Sequence, residues 1–405
     1  MKKMIVQPLV ESNISTVIVI DALDECKDDE STSAILSVLG RFITEIPNTK
    51  LFVTGRPEPR IQEGFRLPLL SKATDVFLLH EVEPNRVNSD IRLFFRHSFS
   101  ELKQRQHGLD DWPTEEQLDL LCGRAGGFFV YAIATVRFID QKAKNPKRQL
   151  GRLLQSLESG FEGRTKLRQG TTLDSLYITI LQEAFGDYES EGGPDVQSVL
   201  GAVVLATVPL SPSTIAVLLG FDPDDVFPLL SLAHSFLILQ RDTNYPVQPF
   251  HKSFPDFITD PARCINPKFC VNPSDQHVKL LVGSLKLMNQ RLEQNMCKLP
   301  DGVINSEVDN LKERTEQYID KALEYACRSW HKHLVSKMSA QTLQILYQFL
   351  AGKFLFWLEV LSVIGAVREA VNALEVTVKW IEVCCTSSVA HFQKFMELCT
   401  GITNP

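Results

Sequence analysis

The pattern of apolar and polar positions divides the chain into an α/β beginning and a long helical remainder. Val17-Ile18-Val19-Ile20 is an unbroken β-branched run, which predicts a short strand buried on both faces inside a parallel sheet. Ala34, Ile35, Val38, Leu39, Phe42, Ile43 and Ile46 then recur at helical spacing behind the caps and first-turn acids of Asp28-Asp29-Glu30-Ser31. Pro47-Asn48 ends that helix. Leu51-Phe52-Val53 and Asp75-Val76-Phe77-Leu78-Leu79 predict two further strands. Strand, helix and strand at this spacing form a right-handed parallel crossover.

From Asp90 the pattern turns helical. Ile91, Phe94, Phe95 and Phe99 line one face, and a second helix through Leu118, Leu121 and Cys122 breaks at Ala125-Gly126-Gly127. A third runs from Phe128 to Ile139, and polar residues around Asn145-Pro146 and Lys147-Arg148 separate this bundle from the next helices. Gly186 to Asp195 is the clearest linker. Residues 196–260 then predict helices at Val196–Ala206, after Ser211 and after Asp222, followed by strands at Phe236–Leu239 and Pro246–Phe250 around the turn Arg241–Asn244. Three helices and a hairpin are the winged-helix arrangement, with Pro246 and Pro249 limiting the second strand to an edge. Beyond Ser274 the pattern predicts helices over Asp275–Met296, Glu307–Lys332, Ala340–Leu350, Lys353–Ile364, Ala366–Cys384 and Val389–Thr400.

Composition narrows the function classes. At 405 residues the chain has room for several cores, and 44% apolar with 22% charged residues is ordinary for a soluble globular protein. A net charge of -7 makes no electrostatic case for nucleic acid. Asp222, Asp224 and Asp225 would repel phosphate from the expected winged helix. Nine scattered cysteines fit reduced thiols better than a disulfide framework. Gln7 and Pro8 interrupt the apolar start and no small-residue cleavage site follows, which argues against a signal peptide. The apolar run Phe354–Val367 is too short to span a bilayer and contains Glu359. A cytoplasmic protein without a membrane or nucleic-acid partner is expected.

The candidate chemistry sits where the first strand ends. Asp21-Ala22-Leu23-Asp24-Glu25 places carboxylates at the carboxyl end of a buried strand, where open α/β sheets bind ligands. Asp21 is then aimed at a hydrated Mg²⁺, and Asp24 or Glu25 can orient a water attacking a phosphate. A buried strand running into a solvated acidic turn gives the same pattern. Arg56, in Thr54-Gly55-Arg56-Pro57 after the second strand, is a permanently charged fork able to grip phosphate, or a surface arginine in a tight turn.

Val17 to Glu25 resembles the Walker B element of signal-transduction ATPases with NACHT domains (the STAND, or NLR-like, class), and Cys26 continues it as fungal members do. Leu51 to Pro57 resembles their sensor 1 segment, Asp90–Ile139 their small helical domain, and residues 196–260 their winged helix. Phe354 to Ser362 resembles a helical segment of fungal members. The resemblance implies Asp21 in the Mg²⁺ shell, Asp24 and Glu25 as catalytic acids, and Arg56 on the γ-phosphate of ATP. It also implies that His251, in Phe250-His251-Lys252-Ser253-Phe254-Pro255-Asp256-Phe257, reads the β-phosphate of bound ADP. A histidine packed between strand and helix is the alternative. The base-contacting proline that relatives carry near the Ala125–Gly127 break is absent.

No Gly-x-x-x-x-Gly-Lys-Ser/Thr occurs in the chain; Gly352-Lys353 is followed by Phe354. That loop supplies the backbone cradle, the phosphate lysine and a Mg²⁺ ligand. Its strand would lie between the strands at Leu51 and Val76, so the latter is expected to be orphaned or to pair directly with the former. The expected fold is α/β plus mostly α: a partial P-loop NTPase sheet (residues 1–89), a small helical domain (90–185), a winged helix (196–260) and a C-terminal helical region (275–405). The implied function is that of a truncated nucleotide-dependent switch in non-self recognition or cell-death signalling, with impaired ATP binding and hydrolysis. A helical scaffold with a decayed nucleotide site, self-associating or binding related proteins, is the alternative. Cys264, Cys270 and His277 with His251 match no common zinc spacing, and Cys384-Cys385 reads as a core feature.

Overall fold

The computed structural model describes residues 7–384 apart from 13–14, 27–28, 43–48, 107, 110, 142–143, 160–170, 187, 189–192, 301 and 337. The chain forms two compact units that divide between Glu83 and Pro84.

The first unit orders α1 (Gln7–Ser12), β1 (Thr16–Ile20), α2 (Asp29–Phe42), β2 (Thr49–Val53), α3 (Pro59–Phe65) and α4 (Pro68–Ser71). β1 and β2 pair in parallel, Thr16 opposite Thr49 through Ile20 opposite Val53, with α2 as the crossover. Leu36 and Leu39 of α2, Ile61 of α3 and Leu70 of α4 form a small core under Ile20, Leu51 and Val53. The expected helical face is shifted: Leu36 is buried, Ala34 is exposed, and Ile43, Ile46 and Pro47-Asn48 lie outside the described residues.

Two strand expectations are corrected. β1 is covered on one face only, because α2, α3 and α4 all contribute to the same side. On the other face Val17 is 63% exposed, Val19 62% and Phe52 59%, beside exposed Lys50. Asp75–Leu78 forms no strand; Val76 and Phe77 are exposed and the chain enters a 3-10 turn at Leu79–Glu81. A strand needs a neighbour to satisfy its N–H and C=O groups, and no described strand offers this segment an edge.

The second unit opens with α5 (Pro84–Arg105), α6 (Glu115–Ala125), α7 (Phe129–Ile139), α8 (Pro146–Ser159) and α9 (Thr171–Phe185). Helix starts match the capping chemistry. Thr114 accepts from the Gln117 N–H while the Gln117 side chain returns to the Thr114 N–H, a reciprocal cap. Gly126 (φ 55°) and Gly127 (φ 87°) turn the chain between α6 and α7 in the left-handed region that favours glycine. Ile91, Phe95, Phe99 and Leu102 are the buried stripe of α5, and Phe99 meets Trp112 edge-on at 5.1 Å.

Next come α10 (Val196–Leu205), α11 (Pro212–Leu219), α12 (Pro223–Leu232), β3 (Leu237–Ile238), β4 (Gln248–Pro249) and α13 (Ser253–Ile258). Asp195, Ser211 and Asp222 cap the three helices through their side-chain oxygens. Of the expected linker, residues 187 and 189–192 lie outside the described residues. The hairpin is antiparallel, Leu237 opposite Pro249, and Val247 bridges to Leu210 on its other side. The second strand is therefore flanked on both sides rather than at an edge. Val247 and Phe250 donate the N–H bonds, to Leu210 and Phe236, so Pro246 and Pro249 fall where no donor is used.

The remainder is helical: α14 (Pro273–Arg291), α15 (Leu311–Tyr318), α16 (Lys321–Ser329), α17 (Ala340–Gly352), α18 (Phe354–Val363) and α19 (Val367–Cys384). The single helix expected over Glu307–Lys332 is broken, because Asp320 caps a new start by accepting from the Leu323 N–H. A 3-10 turn, Trp330–His333, then ends the run. The helix expected at Val389–Thr400 and Cys385 lie outside the described residues. Trp330, Phe349 and Trp357 meet edge-on with centroids 5.3–6.0 Å apart, and Trp357 Nε1 donates to the Cys327 carbonyl at 2.8 Å. One continuous core runs from Ile91 to Ile381. Among the described residues no single helix is long and apolar enough to cross a membrane, and the apolar pair α17 and α18 bends by 70°.

α14 lies at the middle of this unit, against α10, α11, α16 and α17. Gly283 sits where α11 crosses it: a Cβ there would overlap the Leu218 carbonyl oxygen. Gly283→Ala is expected to lose roughly 3 kcal/mol in urea unfolding. Gly151→Ala, on α8 with open space around the position, should gain about 0.5–1 kcal/mol.

Candidate functional site

The carboxyl ends of β1 and β2 lie side by side, and the loops after them are tied by hydrogen bonds. The Thr54 N–H continues the ladder to the Ile20 carbonyl (2.9 Å), and the Leu23 N–H returns to the Thr54 carbonyl (2.9 Å). Between them Ala22 adopts φ 52°, ψ 52°, a left-handed conformation that costs a residue with a Cβ about 1 kcal/mol. The Thr54 hydroxyl holds that turn: it accepts from the Ala22 N–H at 2.8 Å and donates to the Asp21 carboxylate. A single hydroxyl thus fixes both the strained residue and the acid before it.

Asp24 and Glu25 fall in a short 3-10 turn, Leu23–Glu25. They separate there. Asp24 is 5% exposed, while Glu25 and Asp21 face solvent. Asp24 Oδ1 accepts from the Arg56 backbone N–H at 3.1 Å, and Oδ2 lies 3.6 Å from Arg56 Nε. Arg60, at the start of α3, donates to the Asp24 carbonyl at 2.9 Å and pairs with Glu58 at 2.9 Å. A Cβ added at Gly55 would come into ordinary contact with Asp24 and Ile61, at 3.6 Å, so the loops pack closely. A buried carboxylate needs such partners to remain ionised.

The structure therefore brings together Asp21, Asp24, Glu25 and Arg56. Asp24 is the clamp between the loops, and Arg56 keeps 43% of its side chain exposed while contacting it. Sequence reasoning left Thr54, Glu58 and Arg60 without roles. Thr54 lay inside the Thr-Gly-Arg-Pro segment, and only strand pairing shows that its hydroxyl meets Asp21. For a divalent cation the donor set is partial. Asp21 is a hard, exposed carboxylate suited to a hydrated Mg²⁺ shared with a phosphate, but no group of three or more ligating side chains occurs among the described residues.

His251 belongs to the second unit, before α13. Its Nδ1 accepts from the Ser253 N–H at 3.1 Å and meets Ser253 Oγ at 2.7 Å. The ring's proton is therefore on Nε2. Tyr177 of α9 reaches Ser253 Oγ at 2.9 Å. Burial pushes the Tyr177 hydroxyl up to about 12, against the Ser253 hydrogen bond that lowers it. Tyr177 packs edge-on against Phe254 at 5.4 Å, and Phe254 stacks on Phe236 at 4.1 Å. This aromatic cluster fixes the backbone that presents the exposed His251 ring. Burial first, and the neighbouring Cys270, push the Cys264 thiol up to about 12. His277 turns instead to His333, so the zinc arrangement is not assembled.

Residues 1–56 match the family model described as nephrocystin 3, N-terminal, a stretch that contains Asp21–Glu25 and stops on Arg56. Over 386 residues, 89% of this chain, the sequence is 26% identical to the vegetative incompatibility protein HET-E-1 of Podospora anserina. The chain spans 26% of that protein's length. No solved structure matches the chain. The two matches bear out the resemblance to fungal NACHT-type proteins.

The Thr54 hydroxyl should be worth more than its methyl group. Thr54→Val is expected to lose about 1–2 kcal/mol in urea unfolding of the first unit, and Thr54→Ser to restore most of it. Asp24→Ala should cost about 1–3 kcal/mol by leaving the Arg56 backbone N–H without its acceptor, whereas Glu25→Ala stays within about 0.5 kcal/mol.

Proposed function

We propose that this chain is part of a NACHT-type nucleotide-dependent signalling protein acting in fungal non-self recognition, and that by itself it holds nucleotide weakly. The observation that carries this reading is the constellation at the ends of β1 and β2. Asp21 is held by Thr54, Asp24 is clamped to Arg56, and Glu25 is exposed beside them. The name of the relative, a vegetative incompatibility protein, supports the biological setting.

In this reading Asp21 takes one position of a water-filled Mg²⁺ shell. Mg²⁺ would supply charge neutralisation on the phosphates of ATP or ADP. Arg56 offers its exposed guanidinium edge to a terminal phosphate, and Glu25 orients water. Asp24 contributes by aiming Arg56. His251, in the second unit, is a separate candidate for meeting a phosphate oxygen. Weak binding follows from the missing phosphate loop: no lysine or backbone cradle is assigned to the β- and γ-phosphates. The arrangement of α10–α12 with the β3–β4 hairpin supports a winged-helix unit, and a cytoplasmic location fits a signalling role.

The uncovered sheet face bearing Val17, Val19 and Phe52 favours a second reading, a scaffold that associates with related chains. Titration of a fluorescent ATP analogue with Mg²⁺ separates the two. Dissociation constants in the range of tens of micromolar or weaker, lost in Asp21→Asn and Arg56→Ala, are expected. Sub-micromolar binding would overturn the impaired-site part. No binding at millimolar nucleotide, together with self-association unchanged in Asp21→Asn, would leave the scaffold.

A further inference from the structure

A line of hydrogen bonds unrelated to the β1–β2 site crosses the second unit. Thr207, in the loop after α10, donates its N–H to Tyr325 Oη of α16 at 3.3 Å. Tyr325 Oη lies 2.7 Å from His333 Nε2, and His333 Nδ1 lies 2.8 Å from His277 Nδ1 of α14. A further bond, Thr207 Oγ1 to Ser329 Oγ at 2.8 Å, runs beside it. His333 is fully buried, whereas His277 is partly exposed.

The protons in this line are determined by what each atom can do. The Tyr325 oxygen accepts from the Thr207 N–H, and we assign its buried O–H to His333 Nε2 at 2.7 Å. His333 is then the tautomer with its proton on Nδ1, and that proton is donated to His277 Nδ1. His277 must therefore keep Nδ1 bare and carry its own proton on Nε2. Two Nδ1 atoms at this distance tolerate one proton between them and no more.

We propose that this chain is a proton-operated latch: a second proton, taken up at His277 Nδ1 from solvent, sets two N–H groups face to face and releases α14 from the 330–333 turn. The charges around it agree. His331 and Lys332 flank His333 in the same turn, and both oppose a positive charge there; Lys332 is itself held by Glu369 of α19 at 3.3 Å. On α16, Glu324 pairs with Lys321 and Arg328. The helices α10, α11 and α17 carry no Asp, Glu, Lys, Arg or His. α14 itself carries Asp275 and Lys279, the latter paired with Asp195; among the described residues no carboxylate acts on either ring to stabilise an imidazolium.

Burial lowers His277 below the usual histidine range, and burial, then His277, His331 and Lys332, bring His333 down to about 3. A folded value below the unfolded one means that the unfolded chain binds more protons. The latch therefore contributes fully above about pH 6.5, and its contribution is lost as pH falls below that value.

Urea unfolding of the full chain at pH 7.5 and 5.5 tests the latch, with His277→Asn as the variant whose amide oxygen accepts the same proton without titrating. The folded-to-unfolded ratio of the unaltered protein should fall further than that of the variant over this interval, by up to about tenfold, the most that one histidine with an unfolded value near 6.5 can contribute. Equal falls in the two proteins would overturn the proposal. Nitrogen-15 spectra of histidine-labelled protein at pH 7.5 should show His333 protonated on Nδ1 and His277 on Nε2. Spectra with His277 protonated on Nδ1 would overturn it even if the variant failed to fold.

Discussion

Burial against α14 is the constraint on which most of this molecule depends. Leu280, Leu281, Leu285 and Met288 are fully enclosed, and α10, α11, α16 and α17 all rest on that helix. At about 25 cal/mol per Å², a stripe of enclosed leucines contributes several kcal/mol, but only if neighbouring helices come close. Gly283 permits that approach against the Leu218 carbonyl, and Gln276, buried beside Gly201, satisfies its amide on the Ser198 carbonyl at 3.0 Å. Gln276 thus enters the core with its amide partnered, whereas Ser284 Oγ of the same helix and Trp330 Nε1 are buried without a hydrogen-bond partner among the described residues.

The same core reaches the backbone around His251 in the second unit. Arg137 of α7 donates to the Leu237 carbonyl at 2.7 Å and lies over the Phe250 ring at 5.1 Å. Arg263 forks onto Asp174 of α9. These contacts fix the hairpin and α13, and with them the Tyr177–Ser253–His251 line. The first unit is built on a smaller scale: among the described residues, a two-stranded sheet, one covered face, and a loop pair held by Thr54 and Asp24. There the polar clamps matter more, because so few apolar side chains are enclosed.

Some helix starts were readable where a short polar side chain preceded an apolar run. Ser211 and Asp222 each accept a backbone N–H at the expected place, because capping depends on residues two or three apart. The acids after β1 and the arginine after β2 were readable for a similar reason, since their positions follow from where strands end. The strand at Val76 was not. Its residues have the right propensity, but a strand also requires a neighbour, and that is not a local property. The break at Asp320 was missed because the apolar period continues across it.

The sequence by itself determined the periodicities, the caps and the acid-rich end of β1, all set by residues within a few positions of one another. Tertiary structure decided which face of β1 is covered, that Asp24 is buried against Arg56, and that the Thr54 hydroxyl holds Asp21 from 33 residues away. It also decided that His277 meets His333 across 56 residues. These pairings arise only when separate elements are forced together by burial, and nothing in the local pattern of either partner specifies the other.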